Sequence, residues 1–212
     1  IKDIKKYKKI LGKNFFGNKI NYHLNPSLEA QIASISDDIA YNSHDLEDGL
    51  KSNLFKLNDL EKIPVLKEIV LRHKKKIKYY SIELVIRQIV RDIINEMVKD
   101  IIKTTQFNIK KHGIRNLNDV YNSKFPIVTF SKPMEIFDKK IKSFLKRKMY
   151  YHKDVRIKTN QGKIIINKLF KSIKNNPKRY INVGKYDKSN TARSICDFIA
   201  GMTDRFAINL YN

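Results

Sequence analysis

The sequence predicts an all-α fold, and three observations support this prediction. Only five Pro and seven Gly occur among 212 residues, so few turns interrupt the chain. Apolar residues recur at intervals of three and four over most of its length, as they do on the buried face of a helix. The run 127–130 resembles a strand, but it has no second strand to pair with, and we expect an extended loop there.

A helix is predicted over residues 25–55, after a basic lead-in formed by residues 1–24. Asn25 or Ser27 can cap its first turn, because short polar side chains accept a hydrogen bond from the free amides there. Winding the segment at 100° per residue predicts one buried apolar stripe, which comprises Leu28, Ile32, Ile35, Ile39, Leu46 and Leu50.

The opposite side of this helix carries Asp37, Tyr41 and Asp45. These residues are four apart, so their side chains follow one line along which a single ligand can touch all three. Solvated helix faces usually carry long charged residues, yet the surrounding residues are small or compact, which suggests that something packs there. They are Ala30, Ala33, Ser34, Ala40 and His44.

The charge pattern of this helix differs from that of the whole chain, whose formal net charge is +23. No Lys or Arg occurs between Lys19 and Lys51, whereas six acidic residues fall in that interval. An acidic helix in a basic protein suits a divalent cation, or a ligand that carries one. An acidic surface helix that merely offsets the positive charge fits the pattern equally well.

The rest of the chain, residues 64–212, is predicted to be a helical region that completes a single all-α unit over residues 25–212. Gly201 lies inside the last predicted helix. Because Gly costs a helix about 1 kcal/mol relative to Ala, we expect a close helix contact there. The predicted helices cover residues 64–73, 81–110, 133–151, 157–174 and 191–210.

Nucleic acid is an alternative partner, because a net charge of +23 attracts polyanions. The best candidate surface is the outer face of helix 133–151, although it lacks the exposed aromatic residues and Gly-rich loops of many RNA-binding and single-strand-binding modules. AT-rich coding also enriches Lys, Ile and Asn, so the charge alone decides little. The basic residues of this face are Lys139, Lys140, Lys142, Lys146, Arg147 and Lys148.

We expect a cytoplasmic protein that neither spans a membrane nor is secreted. No run of about 18 uncharged apolar residues occurs, and the N-terminal residues do not resemble a signal peptide. Cys196 is the only cysteine, which excludes a disulfide or a Cys-based zinc site within one chain and fits a reducing compartment. We expect Cys196 to be a small buried residue.

Two stretches resemble the bacterial deoxyguanosinetriphosphate triphosphohydrolase-like proteins of the HD superfamily. The first consists of two segments, residues 26–31, Pro-Ser-Leu-Glu-Ala-Gln, and residues 37–50. The second is residues 197–207, Asp-Phe-Ile-Ala-Gly-Met-Thr-Asp-Arg-Phe-Ala. The resemblance implies an all-α HD-domain phosphohydrolase. It also implies metal-dependent hydrolysis of a deoxynucleoside triphosphate such as dGTP to deoxynucleoside and triphosphate, and a homo-oligomer for the complete enzyme.

The same resemblance implies roles for three residues of the first stretch. Asp37 would be a ligand of a divalent metal ion, Mg, Mn or similar, Tyr41 would lie against the sugar, and Asp45 would bind the 3′-hydroxyl. The metal would polarise the α-phosphate and activate a water. In the second stretch Asp197, Asp204 and Arg205 are expected to cap and bridge packed helices.

The family's upstream His and His-Asp metal ligands have no counterpart here, so we assign no catalytic residue. His44-Asp45 spells that dipeptide but aligns with the substrate-contacting part of the motif, and the other histidines lack the expected spacing; they are His23, His73, His112 and His152. We therefore expect a C-terminal portion that is inactive alone and that needs the missing N-terminal HD portion as a partner. The alternatives are a basic helical nucleic-acid-binding protein and a non-catalytic interaction protein.

Overall fold

The computed structural model describes residues 24–181 and 190–211. Within these ranges the chain is all-α and has no strand, which confirms the predicted fold class. The basic lead-in, apart from Leu24, lies outside the described residues. None of the helices in the described ranges is both long enough and apolar enough to cross a bilayer.

The chain divides into two compact units, one ending at Lys148 and the other beginning at Met149. Compact units can belong to one domain, so the prediction of a single all-α unit over residues 25–212 stays a prediction. The helices of the first unit are α1 (Leu28–Lys51), α2 (Leu57–Leu60), α3 (Pro64–Lys74), α4 (Ile82–Lys111), α5 (Leu117–Tyr121) and α6 (Lys132–Leu145). A 3₁₀ turn, Lys75–Lys78, follows α3, and a π-helical turn, Lys146–Tyr150, follows α6.

Helix α4 forms the centre of the first unit, where it packs against both α1 and α3. Its buried face carries Ile89, Ile93 and Met97, each of which is fully buried. This arrangement confirms the long core helix that the apolar spacing predicts. Helix α1 packs also against α6, so α1 is held between two partners.

Serine side chains cap three of these helices. Ser27 Oγ accepts from the N–H of Ala30 at 3.4 Å, and Ser81 and Ser131 cap α4 and α6 in the same way. Each cap satisfies one amide that the first helical turn leaves free, which fixes where the helix begins. The cap at Ser27 confirms one of the two predicted starts of α1.

The second unit comprises α7 (Lys153–Asn175), α8 (Pro177–Tyr180), α9 (Thr191–Ala200) and α10 (Asp204–Tyr211). Helices α9 and α10 both pack on α7. The buried residues between them form a small core. Its members are Leu169, Ile173, Ile181, Ile195 and Ala207.

The prediction of one helix over residues 191–210 is wrong, because the chain leaves helical geometry between α9 and α10. Gly201 caps the end of α9 through its N–H, which donates to the carbonyl of Asp197. A Cβ at Gly201 would meet nothing nearer than backbone carbonyl oxygens at 3.6 Å, so no close helix contact requires a glycine there. Cys196 is exposed rather than buried.

Candidate functional site

Gln31 anchors the start of α1 to the extended segment at residues 127–128. It is 7% exposed, and its Oε1 accepts from the N–H groups of Ile127 at 2.8 Å and Val128 at 3.0 Å. Its Nε2 donates to the carbonyl of Pro26 at 2.8 Å. One side chain therefore satisfies two buried amides of a segment that has no strand partner. Helical periodicity does not reveal this role.

Asn42 fixes the middle of α1 against α6. Its Nδ2 donates to Asp138 Oδ1 at 3.0 Å, and both residues are buried. The other carboxylate oxygen of Asp138 lies 2.9 Å from Lys142 Nζ, which also lies 3.1 Å from Asp38 Oδ2. Burial lowers the pKa of Lys142, but its hydrogen bonds to Asp138 and Asp38 outweigh that effect and raise the pKa above the ordinary value.

The last turns of α1 are fixed by close packing. Leu46 is fully buried, and a Cβ added at Gly49 would overlap the ring of Phe55. That ring packs edge-on against Phe144, with 4.9 Å between ring centroids. Polar contacts at Gln31 and Asn42 and apolar contacts at this end thus set the rotation of α1 about its axis.

The predicted apolar stripe of α1 is correct in its second half and wrong at Ile32. Ile39, Leu46 and Leu50 are buried, whereas Ile32 is 47% exposed and its neighbours Leu28 and Ile35 are half-buried. Because Gln31 bonds to the segment at residues 127–128, this polar residue takes the buried position in the first part of α1, and Ile32 lies outside the contact. The buried residues of α1 are Gln31, Ile39, Asn42, Ser43, Leu46, Gly49 and Leu50.

The outer face of α1 carries the three predicted site residues. Asp37 is exposed, Tyr41 is 60% exposed and Asp45 is half-buried. Because α1 is continuous from Leu28 to Lys51, their spacing of four places them along one line, as predicted. The small and compact residues predicted to surround them are exposed as well: Ala30, Ala33, Ser34, Ala40 and His44.

Asp37 and Asp38 are neighbours in sequence but differ in their contacts. Asp38 pairs with Lys142 at 3.1 Å. The side chain of Asp37 has no hydrogen-bond or ion-pair partner among the residues that the structure describes. Within the described ranges, a contact therefore accounts for the carboxylate of Asp38 but not for that of Asp37.

The described residues do not by themselves form a metal centre. A carboxylate oxygen at Asp37 is the type of ligand that Mg²⁺ or Mn²⁺ prefers, yet no group of three or more His, Cys, Asp or Glu residues in the described ranges is placed to hold a metal. His44 Nδ1 lies 4.0 Å from Glu47 Oε2, along its own helix. Asp37 alone therefore does not make a metal site within the described ranges.

The remaining histidines within the described ranges have other contacts, and His23 lies outside those ranges. His73 Nε2 lies 2.7 Å from Asp92 Oδ2. The ring of His112 packs on Phe125 with 4.4 Å between centroids, and His152 caps the start of α7.

The basic face of α6 and the following turn is partly neutralised. Lys139 pairs with Glu135, Lys142 pairs with Asp138 and Asp38, and Lys148 lies 3.5 Å from Asp59. Ion pairing of this kind reduces the positive charge available to a polyanion. A cavity of about 470 Å³ lies beside this face, and its basic lining residues are Lys62, Lys140, Arg147 and Lys148.

The second motif, residues 197–207, forms the end of α9, the turn after it and the start of α10. Arg193 Nε lies 2.8 and 2.9 Å from the two carboxylate oxygens of Asp197, and this hydrogen bond raises the pKa of Arg193. The pair lies within α9, so Asp197 does not bridge two helices through it. Asp204 is the first residue of α10, where the helix dipole stabilises its negative charge.

Comparison with known proteins finds one matching domain model and several similar proteins. Residues 128–212 match the phosphohydrolase-associated domain. The chain is 49% identical over 210 residues to the deoxyguanosinetriphosphate triphosphohydrolase-like protein of Pelagibacter ubique, a match that covers 99% of this chain and 56% of that protein. Proteins of the same name from Bartonella tribocorum and Geobacter sulfurreducens are 36% and 34% identical, and each match covers 87% of this chain and 48% of the relative.

The chain therefore carries a phosphohydrolase-associated domain at residues 128–212. Over nearly its whole length it is a homologue of proteins named deoxyguanosinetriphosphate triphosphohydrolase-like, as its sequence motifs predict. It spans about half the length of the curated relatives that it matches.

Proposed function

We propose that this chain contributes part of the active site of an enzyme that hydrolyses deoxynucleoside triphosphates, such as dGTP, to deoxynucleoside and intact triphosphate. The observation that carries the proposal is the difference between Asp37 and Asp38 on α1. Asp38 is ion-paired to Lys142, whereas Asp37 is exposed and has no partner among the described residues. An exposed carboxylate without a partner among the described residues is free to bind a divalent cation through its oxygens.

In this proposal Asp37 supplies one oxygen ligand to a divalent metal ion, Mg or Mn, and the other ligands come from polypeptide outside the described residues. The chain alone is then inactive, because one carboxylate does not hold a catalytic metal. We further propose that the complete enzyme is a homo-oligomer. The lone Cys196 fits a cytoplasmic location, where thiols stay reduced.

Tyr41 and Asp45 would bind the sugar. The exposed ring of Tyr41 offers a flat surface for the deoxyribose, and the carboxylate of Asp45 can accept a hydrogen bond from the 3′-hydroxyl. Asp37 and Asp45 are about 12 Å apart along the helix axis, at a rise of about 1.5 Å per residue. A ligand that reaches both ends of this line carries its phosphates at one end and a sugar hydroxyl at the other.

The proposal can be tested in a hybrid of two related proteins. This chain replaces the matching part of the Pelagibacter ubique relative, and release of triphosphate and deoxyguanosine from dGTP is measured with Mn²⁺. We expect activity in the hybrid and none in this chain alone. Asp37→Asn should lower kcat by more than about 100-fold, beyond the effect typical of residues that only support a metal ligand.

Asp38→Asn is the matched control, because it removes the same charge from the next residue of the same helix. We expect this variant to retain activity. A folded hybrid that releases no triphosphate would contradict the proposed reaction. Full activity of Asp37→Asn in an active hybrid would contradict the proposed role of Asp37 but not the proposed reaction.

A second candidate function is binding of nucleic acid, which the basic cavity beside α6 favours. Lys140 and Arg147 line this cavity, and no carboxylate of the described residues pairs with either side chain. Binding of single-stranded DNA by this chain should then weaken steeply between about 50 and 200 mM salt. A flat response to salt, followed by fluorescence anisotropy, would remove this candidate. Non-catalytic interaction through exposed apolar side chains remains the third proposal.

A further inference from the structure

The turn that joins α3 to α4 exposes a cluster of apolar side chains. All residues of the segment 75–84 are exposed, and we call this segment the turn surface. Exposed apolar side chains usually occur singly on a protein, whereas a contiguous apolar patch marks an interaction site. The turn surface therefore calls for a partner. Its large apolar residues are Ile77, Tyr79, Tyr80, Ile82 and Leu84.

The apolar side chains of the turn surface are neighbours in space as well as in sequence. Ile77 and Ile82 line one open cavity of about 270 Å³. Tyr80 and Leu84 line another. Ser81 caps α4 by accepting from the N–H of Leu84, which fixes the chain where the turn meets the helix. The patch is therefore a built part of the fold.

The lysines of the turn surface carry charge that the fold does not neutralise. Lys75, Lys76 and Lys78 have no ion-pair partner among the residues that the structure describes. Glu83 is the only acidic residue of the segment, and it lies in the first turn of α4, where the helix dipole stabilises its charge. Three lysines against one glutamate leave the turn surface positively charged.

Unpaired lysines beside exposed apolar side chains complement a bilayer surface that contains anionic lipids. A lysine attracts anionic headgroups while its stem covers apolar surface. Tyrosine rings favour the headgroup region, and aliphatic side chains enter the boundary of the acyl chains. Single-stranded nucleic acid would use the lysines and the two tyrosines, because bases stack on aromatic rings. It would leave the three aliphatic side chains uncovered, so the composition of the turn surface favours lipid.

We propose that the turn surface binds the surface of bilayers that contain anionic lipids. The three lysines lie against the headgroups, the two tyrosines lie among them, and the aliphatic side chains contact the outer part of the acyl chains. The chain rests on the bilayer and does not span it. The proposal involves neither the outer face of α1 nor hydrolysis, so it does not depend on the proposed function.

Co-sedimentation of the full chain with vesicles tests the proposal. We expect binding to vesicles of phosphatidylglycerol and phosphatidylcholine, and little binding to phosphatidylcholine alone. Binding should weaken at about 0.5 M salt, because salt screens the lysines. Lys75→Gln, Lys76→Gln and Lys78→Gln together should weaken binding by about 100-fold, since each lysine near an anionic surface contributes about fivefold.

Two matched controls separate the turn surface from the general charge of the chain. Lys153→Gln, Lys158→Gln and Lys163→Gln together remove the same charge from exposed positions on α7, and they should weaken binding by less than about fivefold. Ile82→Ser should weaken binding by about fivefold or more, because it removes an inserted apolar side chain. Ile102→Ser alters a similarly exposed residue about 30 Å further along α4 and should leave binding unchanged.

Equal losses in the two triple variants, or in the two serine variants, would overturn the proposal. So would a failure to bind anionic vesicles or equal binding to phosphatidylcholine alone. If the turn variant lost binding of single-stranded DNA but not of vesicles, the turn surface would bind nucleic acid and the proposal would be wrong.

The hybrid protein should bind the same vesicles as the isolated chain does. Binding by the isolated chain only would mean that the rest of the hybrid covers the turn surface, which would also overturn the proposal. Release of triphosphate does not enter these measurements, so this proposal and the proposed function fail separately.

Discussion

The two faces of α1 differ in how completely the fold explains them. On the inner face, Gln31 bonds to three backbone groups, Asn42 bonds to Asp138, and Leu46 is fully buried. On the outer face, Asp37 and Tyr41 are exposed, and the structure gives Asp37 no partner among the described residues. The described contacts thus account for the residues of the inner face. The outer face is where we propose that a ligand binds.

The largest effect on stability should come from Leu46→Ala. Leu46 has no exposed surface, so its truncation leaves a cavity and should lower the free energy of unfolding by about 2–5 kcal/mol. The control is Ile32→Ala on the same helix, which should change stability by less than about 0.5 kcal/mol because Ile32 is 47% exposed. Urea unfolding followed by circular dichroism measures both variants. Equal losses would erase the distinction between the two faces.

A smaller loss is expected for Gln31→Leu. The substitution shortens the side chain by one atom and removes its amide, so the buried N–H groups of Ile127 and Val128 lose their acceptor. An unsatisfied buried donor costs about 1–3 kcal/mol, and we expect a total loss of about 2 kcal/mol if water reaches one of the two. Hydrogen exchange at these two amides should accelerate in the same variant. Unchanged exchange would show that Gln31 does not hold the segment.

Sequence patterns predict the fold well where one physical signal dominates. The 3.6-residue period predicts α4 to within a residue at each end, and Ser27, one of the two predicted caps, begins α1. The pattern fails at Ile32, because the contacts of Gln31 with a segment about 96 residues away set the rotation of α1. It fails again at Gly201, where the glycine ends α9 rather than allowing a close helix contact.

For the candidate site, too, the sequence predicts some features and not others. The spacing of four predicts that Asp37, Tyr41 and Asp45 share one face, and the structure places them there. Their proposed roles come from family resemblance, since no described ligand set surrounds Asp37. Sequence reasoning misses the contact between His73 and Asp92 entirely. The bond between His73 and Asp92 joins two helices, and no local pattern encodes the pairing.

The smallest expected effect concerns Lys142 of α6. Its ammonium group bonds to the exposed Asp38 on the outer face of α1 and to the buried Asp138, which in turn accepts from Asn42 on the inner face. Burial lowers its pKa, but the hydrogen bonds to the two carboxylates raise it above the ordinary value of 10.5. A raised pKa in the folded state means that the stabilisation is fully present below the unfolded-state pKa. It is lost as the pH rises through the folded-state pKa.

Wild type and Lys142→Gln should therefore differ in unfolding free energy by about 1 kcal/mol or less, as is typical of a half-exposed ion pair. The difference should be constant from about pH 8 to pH 10 and shrink above the ordinary lysine pKa. Lys140→Gln, a lysine of the same helix that does not bond to Asp138 or Asp38, should show no such change. A difference that persists unchanged at about pH 11.5 would mean that packing of the Lys142 stem, and not its charge, joins the inner face of α1 to the outer one.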